Sequence, residues 1–121
     1  MIKNIYKTSL SLLTDLYQLT MAYGYWKKGI HNNIASFNVF FRENPFSSGY
    51  AVSSGLENII SFLENFKFSK SDLDYLKSLK TDNGSNLFSR KFIDFLSQIK
   101  FECDVYAIEE GRMIFANEPI I

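Results

Sequence analysis

Between Leu12 and Trp26 the apolar residues fall on two strips of a helix rather than one. At 100° per residue, Leu12, Leu16, Leu19, Tyr23 and Trp26 share a stripe of ordinary core-facing width. Leu13, Tyr17, Met21 and Gly24 form a second strip well round the cylinder, which leaves the sector of Asp15, Gln18 and Ala22 for solvent. The pattern predicts a helix capped by Ser11 or Thr14, with Asp15 in its first turn, running to about Lys28 and stopping at Gly29. Two apolar faces predict packing on two sides. Residues 1–10 ahead of it read as a loose lead-in.

The period then drops to two. In 35–42, Ala35, Phe37, Val39 and Phe41 point one way, and Ser36, Asn38, Phe40 and Arg42 the other. This predicts a strand with the first set in the core, ended by Pro45 in the turn-rich "RENPFSSG". Three more helices follow. One has Ser54 and Glu57 at capping-box spacing and a stripe of Leu56, Ile59, Ile60 and Leu63. The next has Ser69 or Ser71 as cap and Leu73, Leu76 and Leu79 at intervals of three. A loop over 80–86 leads to the last, with Phe92, Phe95, Leu96 and Ile99 on one face. "CDVYAI" and "RMIFAN" read as the strands of a hairpin whose turn is Glu109-Glu110-Gly111, with glycine in the left-handed position. "EPII" reads as the opening of a further strand. An uncovered apolar strand end is a liability, so the chain is expected to be cut short.

These elements predict one α+β domain over 1–121. It has about four helices and a small, mostly antiparallel sheet made of the 35–42 strand and the 103–117 hairpin. The expected core is Phe37, Val39, Phe41, Leu56, Ile60, Leu63, Phe92 and Leu96.

Composition narrows the function classes. Lys plus Arg and Asp plus Glu number 13 each, so net charge points to neither nucleic acid nor an acidic membrane surface. No apolar run approaches the roughly 20 residues of a membrane helix, and the N-terminus lacks the apolar stretch of a secretory signal. A cytoplasmic location is the expectation. Aromatic residues make up 17% of the chain, enough to predict large buried contacts or contact with a flat ligand or partner. One cysteine and one histidine, Cys103 and His31, cannot begin a zinc site or a nucleophile–base pair. His31 reads as an exposed loop residue, Cys103 as a small core filler opening a strand, and Glu109-Glu110 as solvated charge at a turn. No phosphate-binding or dinucleotide glycine motif occurs. Two residues carry a sharper alternative. Tyr17, on the surplus strip, either packs against its own fold or offers its ring to a planar ligand or a partner subunit. Arg42, on the polar strand face beside the proline loop, is either a solvated strand end or an anion clamp.

Three blocks, "LLTDLYQLTMAYGYW", "FNVFFRENPFSSGYAVSSGLENIISFL" and "AIEEGRMIFANEPII", resemble in order and spacing the start of the nicotinate phosphoribosyltransferases. The resemblance covers nearly the whole chain, with 80–90 its least characteristic part. It implies the N-terminal domain of a type II phosphoribosyltransferase without its α/β barrel. Such an enzyme joins nicotinate to the ribose phosphate of phosphoribosyl pyrophosphate. It makes nicotinate mononucleotide, an NAD precursor, and uses Mg²⁺ and ATP, hydrolysed through a phosphorylated histidine, in a homodimer with the active site between subunits. On this resemblance Tyr17 stacks on the pyridine ring in the neighbouring subunit's site, and Arg42 meets phosphate. His31 matches no part of the phosphorylated-histidine motif, so no catalytic residue, metal or cofactor site is expected in these residues, and the isolated chain is expected to be inactive. The alternatives are a nicotinamide- or quinolinate-using relative, and a non-catalytic dimerisation or binding module left by a truncated gene.

Overall fold

The computed structural model describes residues 9–121, so most of the expected lead-in lies outside the described residues. In chain order the elements are α1 (Leu16–Lys28), a 3₁₀ turn (Pro45–Ser47), β1 (Ala51–Val52), α2 (Leu56–Glu64), α3 (Lys70–Ser78), α4 (Arg90–Leu96) and β2 (Met113–Ile114). Helices and a small antiparallel sheet make the fold α+β, as expected. The chain forms two compact units, each made of two separate stretches. The first takes the residues up to Asn33 and Asn65–Phe101; the second takes Ile34–Glu64 and Glu102–Ile121.

The first unit is helical, and its helix ends follow local chemistry. α1 stops at Gly29, whose φ of 71° is open to glycine without a Cβ clash. Lys27 and Lys28 in the last turn oppose the negative end of the helix. Its start departs from expectation. Asp15, not Ser11 or Thr14, occupies the N-cap position, and its side chain makes no capping bond. The Ser11 hydroxyl instead donates to the Lys67 carbonyl at 2.6 Å, tying the lead into α1 to the stretch before α3. α3 is closed by a reciprocal box: the Asp72 amide donates to Ser69 Oγ, and the Ser69 amide donates to Asp72 Oδ2 at 2.7 Å. Ser89 caps α4 by accepting from the Phe92 amide. Between them, the 80–86 loop folds back on itself through a bridge of Lys80 with Asn86.

These helices bury Leu19, Leu76, Phe88, Phe92, Ile93 and Leu96, with Tyr23, Trp26, Leu73, Leu79 and Phe95 packed partly buried against them. Phe92 and Leu76 retain only 1% of their exposure. Ala22, assigned to the solvent sector, also packs on this cluster. Three residues along a helix puts it beside Leu19, so its small side chain is carried into the same face.

The second unit differs from expectation in its pairing. β1 and β2 run antiparallel, with Ala51 opposite Ile114 and Val52 opposite Met113. The turn at Glu110-Gly111 forms, and Gly111 has a φ of 81°. The strand leaving it, however, pairs with 51–52 rather than with 103–108. Ser53 explains the choice. Its hydroxyl donates to the Glu109 carbonyl at 2.6 Å and accepts from the Arg112 amide at 3.0 Å. Its own amide donates to the Arg112 carbonyl and its carbonyl accepts from the Gly111 amide. One serine thereby satisfies both sides of the turn.

The 35–42 segment forms no regular strand. It is held by its backbone, Val39 donating to the Ile121 carbonyl at 3.0 Å and accepting from the Ile120 amide at 2.8 Å. The expected core fails here: Phe37 is 88% exposed, Val39 and Ile60 are also exposed, and Phe41, Leu56 and Leu63 are half-buried. A strand alternates its faces, but burial needs a layer to cover one of them, and the described residues supply none. Ile114 is the buried hydrophobic side chain of this unit among the described residues. Cys103 is exposed and lies outside any strand, so it is no core filler.

The two units should therefore differ in stability when the chain is probed by amide hydrogen exchange. Amides of α3, α4 and the inner side of α1 should be the most protected, and those of 34–64 and 102–121 should exchange through smaller local openings. Ile93→Val should lower unfolding free energy by about 0.5–1.5 kcal/mol, whereas Phe37→Ala should stay within about 0.5 kcal/mol. Urea denaturation of the two variants checks the contrast.

Candidate functional site

The face of α1 opposite its core contacts carries Tyr17, Met21 and Tyr25, all exposed, and Leu13, in the turn before the helix, is exposed as well. Tyr17 keeps 58% of its surface, so it is not a core filler of its own unit. Its carbonyl accepts from the Thr20 hydroxyl at 2.9 Å. The surplus apolar strip read from the sequence is thus real, and its ring lies open on a helix whose other side is fixed. A shallow open hollow lined by Leu12, Leu13, Thr14, Asp15 and Gln18 adjoins the start of the helix. It is too open to enclose a ligand.

Arg42 lies in the second unit, just before the Pro45–Ser47 turn, and is exposed. Its guanidinium makes neither of the ion pairs found among the described residues, which are Lys77 with Asp74 and Arg112 with Glu109. The backbone around it is anchored by Asn117. The Asn117 amide donates to the Phe41 carbonyl at 2.8 Å, and Asn117 Nδ2 donates to the Arg42 carbonyl at 3.3 Å. Asn117 itself has a φ of 63°, in the left-handed region that asparagine tolerates better than most residues.

The adjacent acids divide their work. Glu109 Oε2 accepts from Arg112 Nη2 at 2.8 Å and Nε at 3.2 Å, an exposed pair. Glu110 Oε1 accepts from the Gly55 amide at 2.8 Å and the Glu57 amide at 3.4 Å, which places a carboxylate on the N-terminus of α2. These amides go to Glu110 rather than to the expected Ser54–Glu57 box. Glu110 is therefore a cap and not simply solvated charge. His31 is exposed in its loop, as expected, with its ring edge-on to Phe95 at 5.3 Å.

Sequence reasoning missed Ser53, Glu110 and Asn117 as the residues that hold this unit together. Ser53 and Glu110 bond across more than 50 positions of chain, which no local pattern reports. Asn117 left one trace, an asparagine two residues before Pro119 at the end of an apolar run.

Residues 12–121 match the model of the nicotinate phosphoribosyltransferase N-terminal domain. Among curated relatives, nicotinate phosphoribosyltransferase of Bacillus subtilis (strain 168) is 49% identical over 113 residues, covering 93% of this chain and 22% of the relative. The Caenorhabditis elegans protein of the same name is 43% identical, covering 91% of this chain and 19% of the relative. The Homo sapiens protein is 36% identical, covering 91% and 20%. The chain thus spans about a fifth of the length of the curated relatives it matches.

If Glu110 caps α2, Glu110→Ala should expose the Gly55 and Glu57 amides to exchange. A lost cap is typically worth about 1 kcal/mol, or about fivefold in local opening. Glu110→Gln keeps an acceptor and should lose less. Amide-resolved hydrogen exchange reads both; equal rates in parent and alanine variant would remove the cap.

Proposed function

The chain belongs to the nicotinate phosphoribosyltransferase family through its N-terminal domain, and from that premise we propose that it contributes the N-terminal part of an enzyme making nicotinate mononucleotide. In that reaction the pyridine nitrogen bonds to the anomeric carbon of phosphoribosyl pyrophosphate as the bond to pyrophosphate breaks, with ATP hydrolysis driving the overall change. The match over residues 12–121 carries the reading. The relatives' names favour nicotinate over nicotinamide or quinolinate as the pyridine.

In this reading the domain binds and orients. Tyr17 lays its exposed ring on the pyridine of nicotinate bound to a neighbouring subunit, which also gives the apolar strip of α1 a homodimer partner to cover it. Arg42 offers its two-pronged guanidinium to phosphate oxygens of phosphoribosyl pyrophosphate. Mg²⁺ and ATP are taken by the whole enzyme. The described residues contain no group of three or more His, Cys, Asp or Glu able to hold a metal ion, so no step is assigned to Mg²⁺ through them. None of the described helices is long and apolar enough to cross a membrane, which is compatible with work in the cytoplasm.

The test is a chimera in which residues 12–121 replace the matching region of the Bacillus subtilis relative. It should form nicotinate mononucleotide from nicotinate, phosphoribosyl pyrophosphate, Mg²⁺ and ATP, whereas the 121-residue chain alone should not; a folded but inactive chimera would count against the proposal. In the chimera, Tyr17→Phe should keep most activity because the ring face does the stacking. Tyr17→Ala should raise the nicotinate KM severalfold, since such stacking is worth on the order of 0.5–1.5 kcal/mol beyond buried area, with less effect on the phosphoribosyl pyrophosphate KM. Heterodimers pairing Tyr17→Ala with a subunit inactivated outside this domain should show about half the parent kcat at the parent's nicotinate KM if the ring acts across the interface. Half the kcat at the raised KM of Tyr17→Ala would assign it to its own subunit.

A further inference from the structure

We propose that Asn117 is a positioning residue for Arg42, fixing the peptide groups on both sides of it so that the guanidinium is held out toward phosphate. The proposal rests on the reading of Arg42 as a phosphate ligand and deepens it.

The argument starts from which atoms Asn117 holds. The Phe41 carbonyl belongs to the peptide plane that enters Arg42, and the Arg42 carbonyl belongs to the plane that leaves it. Asn117 bonds to both, one through its backbone amide and one through its side chain. Two bonded planes flanking one Cα fix φ and ψ there, and with them the direction of the Cα–Cβ bond from which the long arginine side chain springs. No ion pair or hydrogen bond among the described residues holds that side chain itself, which is exposed. Anchoring at the root is thus the one form of preorganisation available to it. The chain beyond makes the anchor necessary. Phe46 and Ser47 both have positive φ, 57° and 54°, just past the arginine, so the loop leaves its extended path abruptly. A point of fixation before that bend keeps Arg42 from following it.

The left-handed conformation of Asn117 is part of the device. A φ of 63° lets the same residue turn both its amide and its Nδ2 toward the 41–42 backbone. Glycine would adopt this φ with less strain but has no Nδ2, so sequence economy does not explain an asparagine here; the second hydrogen bond does.

The experiment uses the active chimera and compares Asn117→Gly, Arg42→Ala and the double variant. Asn117→Gly keeps the left-handed backbone and the amide bond to Phe41 and removes only the bond to Arg42. It should raise the phosphoribosyl pyrophosphate KM about two- to tenfold, the range spanned by one ordinary net hydrogen bond, while the nicotinate KM stays near the parent's and the melting temperature falls by at most a few degrees, roughly the size of one lost bond. Asn117→Ala, which also lacks the donor and adds no charge beside the phosphate, should behave alike at a modest cost in left-handed strain and serves if the glycine variant folds poorly. Arg42→Ala should raise the same KM at least as far, and the double variant should be no worse than Arg42→Ala, because the anchor has nothing left to position. A raised KM in Arg42→Ala with none in Asn117→Gly overturns the anchor and leaves Arg42 standing. An unchanged KM in Arg42→Ala overturns the reading beneath it. A fall in melting temperature with both KM values raised, or additive effects in the double variant, makes Asn117 merely structural and overturns the proposal.

Discussion

The ring of Phe92 is the contact on which the orientation of α1 depends. Its centroid lies 4.8 Å from Tyr23, 5.6 Å from Trp26 and from Phe88, and 6.2 Å from Phe95. Each such pair contributes ~0.5–1.5 kcal/mol beyond its buried area, and two of the four partners lie on α1. Tyr23 and Trp26 are three apart, so they pin one side of the helix and fix its rotation. Tyr17 is turned outward as a direct result. The exposure of the candidate stacking ring is thus set from behind, by a phenylalanine buried on the far side of the helix.

Where structure is written into neighbouring residues, the sequence was legible. Ser69 ahead of α3 and Gly29 at the end of α1 each mark a helix end, and each acts as such, whereas the caps read at Ser11 or Thr14 and at Ser54 with Glu57 did not form. The second strip of α1 was legible for the same reason, and so was Tyr17 on it. Where structure depends on distant partners, it was not. The Glu110-Gly111 turn was recognised, but its partner strand was taken to be the adjacent 103–108 because hairpins are local; Ser53, far back in the chain, redirected it. Phe37 and Val39 alternate correctly for a strand, yet alternation says only which residues share a face, not whether anything covers it. Arg42 was visible as a candidate, while its anchor at Asn117, 75 residues on, was not.

The two units are stabilised by different physics. The first is held by apolar and aromatic packing, which is non-directional and tolerates small shifts. The second has little buried apolar surface among the described residues and is held by directional bonds: the Ser53 staple, the Glu110 cap and the Asn117 clamp. Exposed hydrogen bonds of this kind each contribute about 0.5–1.5 kcal/mol net. They suit a segment whose task is to aim a side chain, because each specifies an angle as well as a distance.

The interleaving of the two units along the chain has a consequence for the order of assembly. Pairing Ala51–Val52 with Met113–Ile114 closes a loop that contains all of Asn65–Phe101. As a random coil, that intervening stretch imposes the entropic penalty of a long loop, which grows with the logarithm of its length. Once α3 and α4 have condensed, the same stretch is a compact body, and the effective loop left to close is much shorter. The helical unit therefore lowers the entropic cost of closing the sheet of the second unit. Synthesis from the N-terminus favours the same sequence of events, since residues 102–121 are made after both stretches of the helical unit.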